Sequence, residues 1–572
     1  MLFLFVSVIL FGLCLCGTGC LFGRIMGYST PRNPWIYFWL GFFVVSTLAM
    51  FVSLFLPINL LSLIIFFMLG AVGLPFFYKE CKKAATQSDS SEKKIFIFIT
   101  FLVVFVITCL GAYSSWPGTA YDTDLYHAQI IRWYNEYGTV PGLGNLHHRL
   151  AFNTSWLSLA ALFDNGIWDG RSAWIMPILS SSGVILYCLH ELIFSLKNGI
   201  KLYALCILLW VGITVFGNFG DISMSTPNLF YDCQVHILIA IVILEAYYIL
   251  SGYTGILSKK IIHDSAILLM LSVGAFMIKP IGAVSLLFSG FLTLFLLVRN
   301  SKKTIFSWFI VFTPALCALA VWVTKNIFLS GYPLSPLPIF AMPFDWAMPF
   351  KSVYTYYLEL FAWPRMPGPN YWQVLDNGFF YWFIPWLKRY LSSIYFFVLA
   401  VLPSLFSLLL WFFVARYAKT KKAFYFFIWT FSSILYWFRT SPDIRYGNGF
   451  FWVWLGTAFL FLTPDGSHFE IANFWKSQKI RIAFFYFWGL GVLGGIGINI
   501  ISPVRSLFFF GTVPSRPVKE YIVDTVPPFS VWMPLEGDQT GNSPLPSTPY
   551  KPSNLEMREP GNLGKGFRVR QH

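Results

Sequence analysis

WIYFWLGFFVVSTLAMFVSLFLPINLLSLIIFFMLGAVGLPFFY, residues 35–78, holds two apolar runs, 35–56 and 58–78, separated by little more than Pro57. Each is long enough to cross a hydrocarbon layer of about 30 Å as a helix, which takes about 20 residues. Lys79, Lys82 and Lys83 follow at once. Two apolar spans, a tight turn and a basic stop decide the fold: the chain threads a membrane. Its 57% hydrophobic and 11% charged residues, with a mean hydropathy of +0.65, lie far from a soluble composition.

Working outward from this pair, the same criterion predicts an all-α polytopic membrane protein with roughly fourteen transmembrane helices. The spans are 2–21, 35–56, 58–78, 95–115, 172–195, 201–219, 234–251, 265–279, 281–299, 304–324, 390–416, 423–438, 449–463 and 482–502. The short 265–279 span leaves room for a tilted, broken or re-entrant helix. Three regions result: N-terminal helices with a basic loop (1–94), a membrane core (95–502) and a polar C-terminal segment (503–572).

Lysine and arginine collect in cytoplasmic loops and so set the orientation. Lys79 to Lys94, Arg299 to Lys303 and Arg416 to Lys422 mark three such loops. Alternation then sends 116–171, 220–233, 325–389, 439–448 and the tail from 503 to the extracytoplasmic side. Most of the net charge of +15 lies along the inner loops, which points to topology and the lipid bilayer as partner, with no nucleic acid. Of nine cysteines, only Cys233 falls outside the spans and inner loops, so no disulfide framework is expected. CLCGTGC, residues 14–20, lacks the basic n-region and aliphatic residue of a lipoprotein cleavage site and reads as part of a first membrane helix.

Beyond residue 503 proline, glycine and polar residues dominate, punctuated by Phe529, Trp532, Leu545, Tyr550 and Phe567. Composition alone leaves a disordered end and a small ordered cap on the outer loops equally open.

Polar chemistry gathers in residues 121–153, YDTDLYHAQIIRWYNEYGTVPGLGNLHHRLAFN. Ile130, Trp133, Tyr134 and Tyr137 recur at helical spacing, predicting an amphipathic helix at the membrane interface. At its start stand Asp122 and Asp124, with His127 three residues after Asp124. A carboxylate there, with a histidine beside it, suits a general base toward an acceptor hydroxyl or amide. The same position suits a helix N-cap, and both roles can coexist. His147 and His148 are adjacent, so they do not face one way on a helix, and no third ligand follows at metal spacing; no metal site is assigned to them. Arg149 beside them suits a bidentate grip on phosphate. Lys279, between two spans, and Arg445, in RTSPDIRYGNG, are further phosphate candidates, against the alternatives of a snorkelling lysine and an Asp443–Arg445 ion pair.

The wording YDTDLYHAQIIRW, VPGLGNLHHRLAFN and the tail EGDQ, SPLPSTPY and GFRV resembles a group of uncharacterised bacterial multi-pass membrane proteins, over most of the chain. The layout, an acidic motif on a juxtamembrane helix of the first long outer loop followed by further spans and outer basic residues, resembles the GT-C superfamily of membrane glycosyltransferases. That second resemblance rests on topology and the short acidic motif. It implies a sugar donor on polyprenyl phosphate or diphosphate, a bacterial cytoplasmic (inner) membrane location with the site facing the extracytoplasmic side, and a catalytic acid at Asp122 or Asp124, of which Asp122 lies nearer the preceding span. The D-x-D spacing departs from adjacent acids and leaves room for a divalent cation. Many members begin with the span preceding the acidic loop, whereas here three spans come before that one.

Trp116, Trp133, Tyr354, Tyr356 and Trp363 fit either sugar stacking or an interfacial belt. Two other readings share a lipid-linked saccharide: a flippase or transporter, expected to carry charges through its spans, and a polymerase or ligase working through His147, His148 and Arg149.

Overall fold

The computed structural model of the chain describes residues 2–86, 119–216, 227–299, 305–418, 420–462, 511–523, 528–552 and 554–570. Among them ten helices are long and apolar enough to cross a membrane, consistent with an all-α polytopic protein. Ten of the fourteen expected spans correspond to these. Two more, 423–438 and 449–463, are the helices Lys421–Thr440 and Ile444–Leu462; abundant tyrosine, tryptophan and hydroxyl side chains keep the first from standing out by hydropathy. The spans 95–115 and 482–502 fall outside the described residues. The helix expected at 265–279 is an unbroken Lys259–Ile278, and the break comes at Pro280, which opens a single 3-10 turn.

The helices Leu2–Ile25, Ile36–Ser53 and Leu60–Thr86 pack together, with the first against both others. CLCGTGC lies inside the first of them, and its glycines are the crossing points. A Cβ on Gly17 would run into the backbone of Gly70, one on Gly19 into the Tyr37 carbonyl, and one on Gly41 into the Leu15 carbonyl. Lipid supplies no hydrophobic force between spans, so small residues that let backbones approach must supply the packing. Gly41→Leu is therefore expected to lower the melting temperature in detergent by an amount equivalent to at least about 1–3 kcal/mol. Gly290→Ala, where nothing lies within 4 Å, is expected to be neutral; equal behaviour of the two would refute the crossing.

Ser172–Phe194 is the most enclosed helix, with every residue from Ser172 to Glu191 buried. Ala283–Arg299 lies at the edge and turns Leu287, Phe291 and Val298 outward, as a lipid-facing helix does. It packs chiefly on Lys259–Ile278 and Lys421–Thr440, and also touches Asp232–Gly252.

The connections separate into two groups. At one end, Ile58 N–H donates to the Tyr134 carbonyl at 2.8 Å, Thr139 N–H to that of Ser53 at 2.6 Å and Asn228 N–H to that of Ala173 at 3.0 Å. At the other, Arg24 pairs with Glu80 at 3.5 Å and Asn33 Nδ2 donates to Glu191 at 2.9 Å. Loops assigned by alternation to one compartment thus meet one another.

The segment from 511 is an ordered cap on the first of these ends. Strand β1, Val518–Val523, pairs antiparallel with β2, Phe529–Pro534, and β3, Leu555–Met557, pairs with β4, Phe567–Val569. Phe567 N–H donates to the Pro141 carbonyl at 3.0 Å, and the Phe567 ring stands edge-on to Trp133 at 6.0 Å. Ordering comes from these contacts with the outer loops, which composition does not encode.

Candidate functional site

The first long outer loop begins against the segment preceding the helix Asp232–Gly252. Ala120 N–H donates to the Pro227 carbonyl at 3.2 Å, and Leu229 N–H to Thr123 Oγ1 at 3.0 Å. Between these anchors the chain makes one π-helical turn, Thr123–His127, and runs into the helix Ala128–Glu136. That helix is amphipathic as expected: it buries Ile130, Trp133 and Tyr134, while Arg132 and Glu136 pair outside at 2.6 Å.

Asp122 occupies the N-cap position of the turn but makes no side-chain cap bond. Its carboxylate instead accepts from Arg445 Nη2 at 2.6 Å. Arg445 Nε donates to Asp232 Oδ2 at 2.9 Å, and Lys279 Nζ donates to the other oxygen of Asp232. The result is a row of alternating charge, Asp122, Arg445, Asp232, Lys279, drawn from four parts of the chain. Aromatic faces complete it: the Arg445 guanidinium lies 4.3 Å from the centre of the Phe230 ring, and the Lys279 ammonium 3.7 Å from that of Tyr446. Asp232 is the most enclosed side chain of the row, 6% exposed, and Lys279 the most open, 24% exposed.

Burial works against an ionised Asp122, but the Arg445 guanidinium, with Arg149 behind it, outweighs burial and holds this carboxyl below the usual carboxylate range. His127 sits within the same turn, against Tyr126, Phe230 and Tyr231. Burial pushes its imidazole down to about 3, so it is neutral, and among the described residues neither ring nitrogen has a hydrogen-bond partner. A neutral imidazole with a spare donor and a spare acceptor beside a carboxylate is equipped to hydrogen-bond an incoming hydroxyl, while its lowered pKa makes it a weak base.

Asp124 has a different fate. It is wholly buried and forms a clasp with the cap: Arg516 grips it through Nε, at 2.8 Å, and through Nη2, while Thr119 Oγ1 donates to its other oxygen. Its backbone carbonyl accepts from Thr540 and Gly541 N–H at 3.1 and 2.7 Å. The two carboxylates of the D-x-D motif are therefore neutralised by different arginines, and they do not fit a shared divalent cation. Among the described residues no group of three or more histidine, cysteine or acidic side chains is arranged to hold a metal ion.

Arg149 is brought to the same end of the bundle, within electrostatic reach of Asp122, and pairs with Glu359 at 3.2 Å. The His147 and His148 rings lie 4.7 Å apart, with His148 packed on Tyr356 at 3.9 Å and Tyr550 6.5 Å from His147. Burial, helped by Arg149, takes His148 down to about 3. Lys279 does not snorkel, because Asp232 holds it. Arg445 reaches inward to Asp122 and Asp232, and Asp443 accepts its backbone N–H at 2.9 Å. Of the aromatics considered for stacking, Trp133 and Tyr356 are buried, Tyr354 and Trp363 are exposed, and Trp116 lies outside the described residues.

Sequence reading passed over Asp232, Glu359, Arg516 and Lys325. Asp232 carried a usable signal, an acid at the head of an apolar span. So did Lys325, fully buried within Ile305–Ser330, where its ammonium meets the hydroxyls of Ser53 and Ser158 at 2.9 and 3.0 Å and the Tyr134 ring at 3.5 Å.

Fold and site together define a polytopic membrane protein with a capped cluster of charges at one end of its helices. The chain belongs to the family described as Domain of unknown function (DUF8201), whose model matches residues 1–452. The charge row, His127, Arg149 and Glu359 lie within the matched residues; the cap follows them. No curated protein and no solved structure matches the chain.

Proposed function

We propose that this chain is a GT-C-type membrane glycosyltransferase of the bacterial cytoplasmic membrane, moving a sugar from a polyprenyl-phosphate-linked donor to an acceptor on the extracytoplasmic face. One observation carries the reading: the Asp122 carboxylate and the Arg445 guanidinium meet at 2.6 Å, where the outer loops and the cap converge. Lysine and arginine bias in the opposite loops assigns this end to the extracytoplasmic side.

In this mechanism the ionised Asp122 accepts the hydrogen of an acceptor hydroxyl and aims its oxygen at the anomeric carbon. A carboxylate with a lowered pKa is a weak base, so Asp122 orients the acceptor, His127 adds a hydrogen bond to it, and the proton passes to the departing phosphate as the new bond forms. The leaving lipid phosphate gathers negative charge as the glycosidic bond breaks, and Arg445, Lys279 and Arg149 supply cations for it. Displacement from the opposite face inverts the anomeric carbon.

Mass spectrometry of lipid-linked sugars and surface glycans, at equal membrane abundance of each variant, tests this. Asp122→Asn is expected to reduce transfer by about 10²–10⁴-fold, the usual weight of a positioned acid or base, so that the polyprenyl-linked donor accumulates and one glycan lacks a sugar, as in the deletion. Wild-type glycans from Asp122→Asn beside a defective deletion would remove the reading. Dependence on Arg149 with indifference to Asp122 would instead point to a polymerase or ligase.

A transporter of lipid-linked saccharides keeps one specific observation in its favour. Glu191 and Glu245 lie inside spans near the opposite end, where Tyr187 donates to Glu245 at 2.7 Å and Tyr248 donates to Glu191. Unmodified glycans with lipid-linked saccharide trapped on the inner face would favour it.

A further inference from the structure

Tyr121 and Asp122 are neighbours in sequence with opposite destinations. Asp122 turns inward to Arg445, whereas Tyr121, 49% exposed, turns outward and donates its hydroxyl to Asp538 of the cap at 2.6 Å. Gln539 closes the joint by donating Nε2 to the Tyr121 carbonyl at 3.2 Å. Tyr550, the most open of the cap tyrosines at 60% exposed, approaches the same Asp538 carboxylate and lies within electrostatic reach of Arg149 and Glu359. Across from it, Tyr371 stands beside Glu359 and packs edge-on to the exposed Trp363 at 5.2 Å. The rim outside Asp122 thus alternates exposed aromatic rings with carboxylates.

We infer that this rim is an acceptor subsite for a carbohydrate, built jointly by the first outer loop and the cap. The inference rests on the transferase reading and names its acceptor class. Pyranose rings carry apolar C–H faces that lie against aromatic rings, and a belt of hydroxyls that donate to carboxylates and accept from amides. Tyr121, Tyr550 and Trp363 offer the rings; Asp538 and Glu359 offer acceptors; the Gln539 amide offers a donor. A basic peptide is the competing occupant of an acidic rim. Arg149 opposes it, because its guanidinium already neutralises Glu359 at 3.2 Å. An interfacial belt does not account for Tyr550, since the cap that carries it docks on loop residues: Thr548 Oγ1 donates to the Leu146 carbonyl at 3.4 Å, and Phe567 to that of Pro141. The cap lies beyond residue 452, where the family match ends, so the subsite joins matched residues to the segment that follows them.

The test is binding without turnover. The full chain in lipid nanodiscs is titrated calorimetrically with oligosaccharides released by mild acid from the host cell's own surface polysaccharide, and separately with an oligolysine peptide. The oligosaccharides are expected to bind, and Tyr550→Ala and Asp538→Asn are each expected to weaken them about tenfold, the scale of one aromatic or hydrogen-bonded contact, with melting temperatures unchanged. No oligosaccharide binding, binding indifferent to both substitutions, or selective binding of oligolysine would each overturn the subsite. Because nothing is transferred in this assay, its failure is separate from that of the transferase reading, which stands or falls on the glycans of Asp122→Asn cells.

Discussion

Arg445→Leu is expected to destabilise the protein by about 3–5 kcal/mol, the usual result of removing one partner from a buried ion pair. The guanidinium serves two carboxylates at once, and Asp232 retains Lys279 after the change. Asp122 therefore bears the loss. The pH dependence identifies it. In the wild-type protein the folded pKa of Asp122 is lowered, so its contribution is present above the ordinary aspartate pKa of about 3.9 and disappears only as pH falls through the lower folded value. Without Arg445, burial is no longer outweighed and the folded pKa rises above the unfolded one. The deficit is then largest at neutral pH and shrinks as acid protonates Asp122. Melting curves at several pH values in detergent read this directly, and Arg445→Leu combined with Asp122→Asn is expected to recover part of the loss. Arg445→Lys keeps the charge but not the fork that spans both acids, so it falls between. A deficit independent of pH, or no recovery in the double variant, would show that the pair is not what Arg445 contributes.

The second large effect belongs to the clasp. Arg516→Ala leaves Asp124 fully buried with only Thr119 as a side-chain donor. Arg516 is 36% exposed, so solvent screening reduces the expected cost to about 2 kcal/mol. Its location should be specific. Hydrogen exchange across 511–570 and around Asp124 is expected to rise, while the glycine crossings of the first three helices stay protected. In a double-mutant cycle with Asp124→Asn, the combined loss is expected to fall short of the sum of the single losses. Strict additivity would dissolve the clasp.

The membrane class, most of the helices and the place where polar chemistry gathers were legible in the sequence, because hydropathy and charge bias are local properties. Asp122 was legible for the same reason: an acid beside a span, at the head of an amphipathic helix. Its partner was not, since 323 residues separate Asp122 from Arg445 and only helix packing brings them together. Asp124 shows the limit more sharply. Two residues from Asp122 and identical in type, it has a partner 392 residues away in a segment whose composition suits disorder and order alike. Asp232 and Lys325 differ again: a buried charge in an apolar run is visible locally, and a search confined to the loops passes over it.

Synthesis runs from the N-terminus, so the cap is the last described part of this chain to exist, yet Arg516, Thr540 and Gly541 hold the turn on which Asp122 stands. Every described α-helix is made before that support arrives. The candidate site is therefore finished only when the segment from 511 has folded back onto the loop that carries Asp122. A copy cut before residue 511 is expected to keep its helices while the turn beneath Asp122 loses its clasp.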